Sequence, residues 1–220
     1  MANAQTLCAL PNLTDDVRCC DLIEYRLDSL WACADFSSPL PIHGEKPIIV
    51  TARDPIEGGQ NSLKLSERRH LFEQHQMSAS ILDIEIRNLS QLAEIRDAAQ
   101  IQGRLVLGSF HDFNTTPPES ELEDTIKRGI DARADGIKLA VTTNTPQHIR
   151  TLLHLLERYQ SEIPMAVMGM GTLGMSSRIL LAQCGSILNY GYLSEANAPG
   201  QWSAAMMRRL FNEIGIGRNA

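Results

Sequence analysis

Short apolar runs recur along the whole chain and alternate, in its later part, with longer stretches of mixed polar and apolar residues. Most of the runs have the four-to-six-residue length of strands that are buried on both faces of a parallel sheet. There are eight of them: TLCAL (6–10), LIEYRL (22–27), PIIVTA (47–52), ILDIEI (81–86), RLVLGS (104–109), GIKLAV (136–141), PMAVM (164–168) and SILNY (186–190). The stretches between and after the later runs predict helices over residues 66–76, 90–100, 118–134, 145–160, 178–184 and 203–214.

Strands that alternate with helices predict a parallel sheet, and eight such units in one chain predict a closed barrel. We therefore expect an α/β protein with a compact (β/α)8 TIM barrel and a trimmed first βα unit. Residues 11–21, between the first two runs, are too few for a full crossover helix, and the segment 29–46 is broken by prolines and a glycine. No repeat or linker divides the chain, which predicts a single catalytic domain over residues 1–220.

Composition narrows the class of protein. The formal net charge of −6, without a dense basic run, gives no electrostatic reason to bind nucleic acid. Five cysteines, an odd number with no CxxC pair, favour free thiols in a reducing compartment and make a zinc site improbable. The N-terminus lacks a signal peptide, and no stretch approaches the roughly 18 apolar residues of a membrane helix. A cytoplasmic protein without membrane contact is expected.

Lys138 lies inside the apolar run GIKLAV, where desolvation of an ammonium group is costly. A purely structural lysine at this position needs a buried carboxylate partner, which Asp83 or Glu85 on a neighbouring run could supply. The alternative is chemical, because a neutral lysine amine attacks carbonyl carbons and forms an imine.

Polar side chains also stand where several of the predicted strands end, and in a barrel of this kind such side chains meet at one mouth. A histidine there is a candidate general acid or base, and arginines there hold an anion such as a carboxylate. The alternatives are purely structural roles: interior ion pairs for the charged residues and a packing or hydrogen-bonding role for the histidine. The candidates in chain order are Glu24, Arg26, Arg53, Glu57, His111, Lys138, Arg178, Asn197 and Gln201.

Lysine, histidine and arginines at one mouth suggest Schiff-base chemistry on an oxo acid. A phosphate is the competing acceptor, because the glycine-rich segment MGMGTLG (168–174) follows the seventh run, where barrels often bind phosphate. None of the histidines has the spacing of a metal site such as HxxxH, so no metal is predicted.

Seven segments taken together resemble type I 3-dehydroquinate dehydratase, the Schiff-base enzyme of the shikimate pathway. They are EYRLD (24–28), TARDPIEGG (51–59), ILDIEI (81–86), SFHDF (109–113), GIKLAV (136–141), MGMGTLGMSSR (168–178) and NAPGQWS (197–203). They occur in the order of that family and span most of the chain. The resemblance implies a lyase that converts 3-dehydroquinate to 3-dehydroshikimate, on the way to chorismate and the aromatic amino acids.

The resemblance also implies a role for each matching residue. Lys138 corresponds to the imine-forming lysine, His111 to the general acid/base and Glu57 to the glutamate that orients this histidine. The protonated imine is itself the electron sink, so neither a metal nor an organic cofactor is implied. The carboxylate of the substrate is assigned to Arg178 and Gln201, and its ring hydroxyls to Glu24, Arg26 and Arg53.

This chain departs from the family pattern at Asn197, where many members have serine, and in the short segment before Glu24. Asparagine still offers hydrogen bonds to the substrate, so Asn197 is retained as a binding residue. Two rival functions remain: a class I aldolase on another oxo acid, and a barrel that only binds a metabolite. The expected partner is the small-molecule substrate, and a homodimer is left open.

Overall fold

The computed structural model describes residues 17–31, 46–196 and 198–217. Its centre is a curved sheet of six parallel strands, in which each strand pairs with the next strand along the chain. The strands are β1 (Ile23–Arg26), β2 (Ile48–Thr51), β3 (Ile81–Glu85), β4 (Leu105–Asp112), β5 (Gly136–Thr142) and β6 (Met165–Met170). This sequential order is the order of an α/β barrel.

Helices follow the strands and cover the outer face of the sheet. They are α1 (Leu27–Leu30), α2 (Leu65–His75), α3 (Ala93–Ile101), α4 (Glu119–Asp131), α5 (Pro146–Tyr159), α6 (Gly174–Gln183) and α7 (Ala204–Ile214). Short 3-10 turns occupy Pro55–Glu57, Gln76–Ser78 and Ile86–Asn88. In the described ranges no helix combines the length and the apolarity needed to cross a bilayer.

Two predicted helix starts are confirmed by their caps. The side chain of Thr145 accepts a hydrogen bond from the backbone nitrogen of His148, with Pro146 in the first turn of α5. Ser203 caps α7 in the same way. The start predicted at residue 178 was wrong, because α6 begins at Gly174, directly after the glycine-rich turn. Arg178 therefore lies within this helix.

Alternation along the strands separates two environments. On β5, Ile137, Leu139 and Val141 face the helices and join the main apolar core. Lys138 and Ala140 occupy the opposite face, which is the interior of the barrel. The polar residues of the other strands follow the same rule, and the interior receives Glu24, Thr51, Asp83, Glu85 and Ser109, all of them buried.

The two ends of the predicted strand set differ from expectation. The first run (6–10) lies outside the described residues. The last run (186–190) follows β6 without forming a regular strand. One backbone hydrogen bond, from Ile187 to the carbonyl oxygen of Met165, joins it to β6, and the Ser186 side chain bonds both the nitrogen and the carbonyl of Val167. An isolated bridge pairs Tyr192 with Ser203 nearby.

Candidate active site

The amine of Lys138 is buried in the barrel interior, with only 3% of the residue exposed. Its Nζ donates a hydrogen bond to Oδ2 of Asp83 at 2.7 Å and lies 3.6 Å from Oε1 of Glu24. Of the two carboxylates that the sequence offered as partners, Asp83 is therefore the one that pairs with Lys138. The amine also lies 4.0 Å from the centre of the Tyr190 ring.

Asp83 is held by three donors. Oδ1 accepts hydrogen bonds from Nη2 of Arg53 at 2.8 Å and from the hydroxyl of Ser109 at 2.6 Å, while Oδ2 accepts from Lys138. Burial alone would raise the pKa of Asp83, but the charges of Arg53 and Lys138 hold it well below its ordinary value. Asp83 is therefore a fixed negative charge directly beside the amine.

Arg53 bridges Asp83 and a second buried carboxylate. Its Nη1 donates to Oε1 of Glu85 at 2.9 Å and to the hydroxyl of Ser109 at 2.6 Å. The sequence placed Arg53 among the residues that contact the ring hydroxyls of the substrate. The structure places its guanidinium in the wall of the site, where it fixes Asp83 next to Lys138.

Behind this wall lies a layer of polar residues that sequence reasoning did not assign to the site. The other oxygen of Glu85 accepts hydrogen bonds from Arg68 at 2.7 Å and from Asn88 at 3.2 Å, and both donors also bond Oδ2 of Asp54. Arg68 is in α2 and is buried. The layer saturates Glu85 and so keeps Arg53 in a single position.

Glu24 offers one unused oxygen to the site. Oε1 accepts a hydrogen bond from the hydroxyl of Thr51 at 2.8 Å, which fixes the carboxylate beside Lys138. Oε2 is buried and has no hydrogen-bond partner among the described residues. A buried carboxylate oxygen without a donor is unfavourable, so this atom is suited to accept a hydrogen bond from a ligand.

His111 and Glu57 form a second pair at the end of β4. Oε2 of Glu57 lies 3.1 Å from Nδ1 of His111 and also accepts a hydrogen bond from the backbone nitrogen of His111 at 2.9 Å. The turn that carries Glu57 ends at Gly58, whose φ of 83° requires glycine. The pair leaves Nε2 as the ring nitrogen of His111 that Glu57 does not contact.

The surroundings of this pair favour neutral forms of both groups. Burial lowers the pKa of His111 well below its ordinary value, and the positive charges of Arg53 and Lys138 lower it further. Burial raises the pKa of Glu57 to about 8, against the opposing charge of Arg53. A neutral imidazole held by a carboxyl group is suited to remove a proton at neutral pH.

The raised pKa of Glu57 predicts a pH dependence of stability. Folded Glu57 binds its proton more tightly than the unfolded chain, so its contribution is complete below pH 4.5 and is lost as the pH rises to about 8. Glu57→Gln has no such proton, and we expect its melting temperature to fall less than that of the wild type between pH 5 and pH 8.5.

Thermal melts of both proteins across this range test the expectation, because His111 is present in both and its titration largely cancels in the comparison. Glu162→Gln is the matched control, since Glu162 is exposed and distant from the pair. Parallel curves for the wild type and Glu57→Gln would show that Glu57 holds no such proton.

Arg26 is engaged at the edge of the site. It makes a two-pronged ion pair with Asp28, at 2.9 and 2.8 Å, and also donates to the carbonyl oxygen of Gly58 at 3.1 Å. β1 ends at Arg26, and Asp28 belongs to α1. The hydrogen bond from Arg26 to Gly58 ties the end of β1 to the turn that carries Glu57.

Arg178 is a buried guanidinium without an ion pair in the described part of the chain. Its Nη1 donates to the carbonyl oxygen of Tyr190 at 3.2 Å, and its Nε has no hydrogen-bond partner among those residues. Burial lowers the pKa of Arg178 to about 10, so the group stays charged at neutral pH. A buried cation lacking an anion is a strong candidate for an anion-binding residue.

Gln201 joins Arg178 through the same carbonyl group. Its Nε2 donates to the Tyr190 oxygen at 3.3 Å. The segment that carries Gln201 packs on the glycine-rich turn, where Gly171 donates to the Pro199 carbonyl and a Cβ on Gly174 would lie only 3.1 Å from the Cα of Gly200. These glycines therefore allow close backbone packing, and this observation favours a packing role over a phosphate loop.

Of the nine residues predicted for the site, Asn197 lies outside the described residues. Lys138 contacts Glu24 directly and is linked to Arg53 through Asp83. His111 contacts Glu57, and Arg178 and Gln201 both donate to the carbonyl oxygen of Tyr190. Arg26 is linked to the site by its hydrogen bond to the carbonyl oxygen of Gly58, next to Glu57 in the chain. The residues that sequence reasoning missed are Thr51, Arg68, Asn88, Ser109 and Tyr190, and only the alternation of Thr51 and Ser109 toward the interior could have revealed any of them.

Comparison with known proteins gives a consistent result. Residues 4–218 match the model of the family described as type I 3-dehydroquinase. The 3-dehydroquinate dehydratase of Thermodesulfovibrio yellowstonii is 32% identical over 206 residues, which cover 92% of this chain and 89% of that protein. The catabolic 3-dehydroquinate dehydratase of Acinetobacter baylyi is 30% identical, over 88% of this chain and 76% of that protein.

The fold agrees with these sequence matches. The crystal structure of 3-dehydroquinate dehydratase from Geobacillus kaustophilus superposes with a TM-score of 0.85 at 28% identity, over 96% of this chain and 87% of that one. The barrel class that the sequence predicted is thereby confirmed, with six of its strands regular in the described ranges.

Proposed function

The chain belongs to the type I 3-dehydroquinase family, and from this premise we propose how the residues around Lys138 divide the reaction among them. The protein is a lyase that dehydrates 3-dehydroquinate to 3-dehydroshikimate in the shikimate pathway, through a lysine Schiff base. Among the functions that the sequence left open, the dehydratase is the one confirmed. The open question is which residue performs each step.

The placement of Lys138 is the observation that carries the proposal. A buried amine between Asp83 and Glu24 gives up a proton to His111 and attacks the C3 ketone of the substrate. His111 returns this proton to the former ketone oxygen, which leaves as water, and a protonated imine remains. The imine withdraws electrons from C2 and stabilises the carbanion that forms there. Asp83 stays charged throughout, because Arg53 and Ser109 continue to hold it.

His111 moves the protons. Its neutral imidazole removes a proton from C2, and the same nitrogen then delivers a proton to the C1 hydroxyl as this group leaves as water. Glu57 is a positioning residue that acts on Nδ1 and so keeps the other ring nitrogen directed at the substrate. Hydrolysis of the imine then returns the amine and releases the product.

The remaining residues orient the substrate. We assign the ring hydroxyls chiefly to Glu24, whose Oε2 is unoccupied by any donor of the described chain. Arg53 and Arg26 support the binding of the ring hydroxyls indirectly. Arg53 fixes the charge of Asp83 beside the amine, and Arg26 fixes the turn that carries Glu57. Arg178 and Gln201 bind the carboxylate, and Asn197 is kept as a binding residue on sequence grounds alone.

The assignment of Arg178 predicts a selective kinetic defect. Lysine keeps the charge but cannot reproduce the paired geometry of a guanidinium on a carboxylate. We expect Arg178→Lys to lower kcat/KM for 3-dehydroquinate by severalfold or more, mainly through a higher KM, while the melting temperature changes little. Arg158→Lys, at an exposed ion pair with Glu123, is the matched control.

Formation of 3-dehydroshikimate is followed through the ultraviolet absorbance of its conjugated enone, which the substrate lacks. Kinetics and melting temperature are measured on one preparation of each protein. A large loss of stability with unchanged kcat/KM would make Arg178 a structural residue and would remove the best anchor for a carboxylate.

We further propose that the protein acts in the cytoplasm as one catalytic domain. Support comes from the match over residues 4–218 and from the acidic net charge, which does not favour nucleic acid.

A homodimer is the assembly to be tested, and light scattering of the purified protein during gel filtration gives its mass directly. A mass near 24.4 kDa would exclude the dimer.

A further inference from the structure

The aromatic ring of Tyr190 contacts the reactive amine, and none of the roles above involves its side chain. The face of its ring lies 4.0 Å from Nζ of Lys138, within the distance at which an aromatic face attracts a cation. Its backbone carbonyl accepts hydrogen bonds from Arg178 and Gln201. Tyr190 therefore contacts both the amine and the residues assigned to the carboxylate.

The hydroxyl group of Tyr190 is buried and has no hydrogen-bond partner among the described residues. Burying a hydroxyl without a partner costs about 1–3 kcal/mol, and phenylalanine would fill the same space without this cost. The hydroxyl is not alone: Oε2 of Glu24 and Nε of Arg178 are also buried without partners, and all three residues adjoin Lys138 or its neighbours. Such a cluster is complementary to a polar ligand.

We propose that the Tyr190 hydroxyl donates a hydrogen bond to a ring hydroxyl of the bound substrate, and that the same ring hydroxyl donates to Oε2 of Glu24. This inference rests on the proposed function, because it requires the substrate ring to be attached to Lys138. One ring hydroxyl then satisfies two buried atoms, one as an acceptor and the other as a donor. We assign this contact to the hydroxyl nearest the imine carbon, because Glu24 and Tyr190 both adjoin Nζ of Lys138.

The electrostatics of the site support this direction. Burial raises the pKa of Tyr190 well above its ordinary value, and the charges of Glu24 and Asp83 raise it further. The phenol therefore remains protonated and able to donate. The Tyr190 hydroxyl and Oε2 of Glu24 are both buried without a partner among the described residues, and both residues adjoin Nζ of Lys138, so we assign the hydroxyl to the substrate ring and not to the carboxylate at Arg178.

Tyr190→Phe removes the hydroxyl and keeps the ring against the amine. A net hydrogen bond of about 0.5–1.5 kcal/mol corresponds to a two- to about thirteenfold loss of kcat/KM, which we expect to appear as a higher KM. The melting temperature is expected to stay the same or to rise, since an unsatisfied buried group is removed. Tyr192→Phe, two residues along the chain and outside the site, is the matched control.

Two further measurements separate the contact from a packing role. The first is the inhibition constant of quinate, which keeps the ring hydroxyls and the carboxylate but has no ketone. It should rise in Tyr190→Phe by the same factor as KM. The second is the double variant with Glu24→Gln, whose loss should be smaller than the product of the single losses, because both residues share one hydroxyl.

The outcomes are distinct. A Tyr190→Phe protein with wild-type kcat/KM and wild-type quinate inhibition would overturn the inference and leave the proposed function intact. A lower melting temperature with unchanged kinetics would assign Tyr190 to packing and would overturn the inference as well. No turnover of 3-dehydroquinate by the wild-type protein would overturn both the inference and the proposed function.

Discussion

Replacement of Lys138 by alanine is expected to lower the turnover of 3-dehydroquinate by about 10⁴-fold or more, the scale seen when the attacking nucleophile of an enzyme is removed. The physical reason is that no other amine of the described chain lies in the barrel interior. Without the imine, the carbanion at C2 has no electron sink. The buried charge of Asp83 keeps two of its three donors in this variant, so the barrel has a means of tolerating the change.

A covalent test on the wild-type protein complements this variant. Borohydride added together with the substrate or product should reduce the imine to a secondary amine and inactivate the protein. The chain has four lysines, Lys46, Lys64, Lys127 and Lys138, so peptide mass mapping identifies the modified one without ambiguity. An adduct on a lysine other than Lys138, or none at all, would refute the assignment, and Lys127→Ala serves as the control for exposed amines.

The second large effect is expected at His111. His111→Ala should lower kcat by about 10²–10⁴-fold, the usual contribution of a positioned acid or base. The lysine and its counterion are untouched in this variant, so borohydride should still trap an imine on Lys138, although more slowly. This combination separates proton transfer from covalent binding.

His154→Ala is the matched control, because His154 is exposed and pairs only with Glu119 at the surface. Near-normal turnover by His111→Ala would place proton transfer on another group, with Glu57 as the next candidate because its carboxyl group lies 3.1 Å from the same imidazole. The double variant His111→Ala/Glu57→Gln would then be expected to lose the remaining activity.

The sequence predicted those features of the site that depend on one strand at a time. Lys138 stands out because a lone charge interrupts an apolar run, and the alternation of residues along each strand directs Glu24, Asp83 and Glu85 to the same interior. The order of strands and helices predicts the barrel for the same reason, since each unit is local. The caps at Thr145 and Ser203 follow from single residues beside the helices that they begin.

What the sequence left open depends on contacts between strands. Whether Lys138 pairs with Asp83 or with Glu85 is decided by the register, in which Ser109 lies beside both Glu85 and Lys138. Arg68 was missed because a single arginine in a charged helix gives no sign that it turns inward to Glu85. Tyr190 was missed because its run suggested a strand, whereas the structure forms no regular strand there and places the ring beside Lys138.

The sequential order of the strands bears on how the site forms during folding. Arg53 and Ser109 are 30 and 26 residues from Asp83 in the chain, whereas Lys138 is 55 residues away and is separated from β3 by the whole of β4. The entropic cost of closing a loop increases with its length, so the contacts of Asp83 with Arg53 and Ser109 cost less to close than its contact with Lys138. Asp83 then collects its two nearer donors first, and Lys138 enters an anionic position that is already built. In a refolding experiment, the ability to form the borohydride adduct should therefore appear only after β3 and β4 have paired.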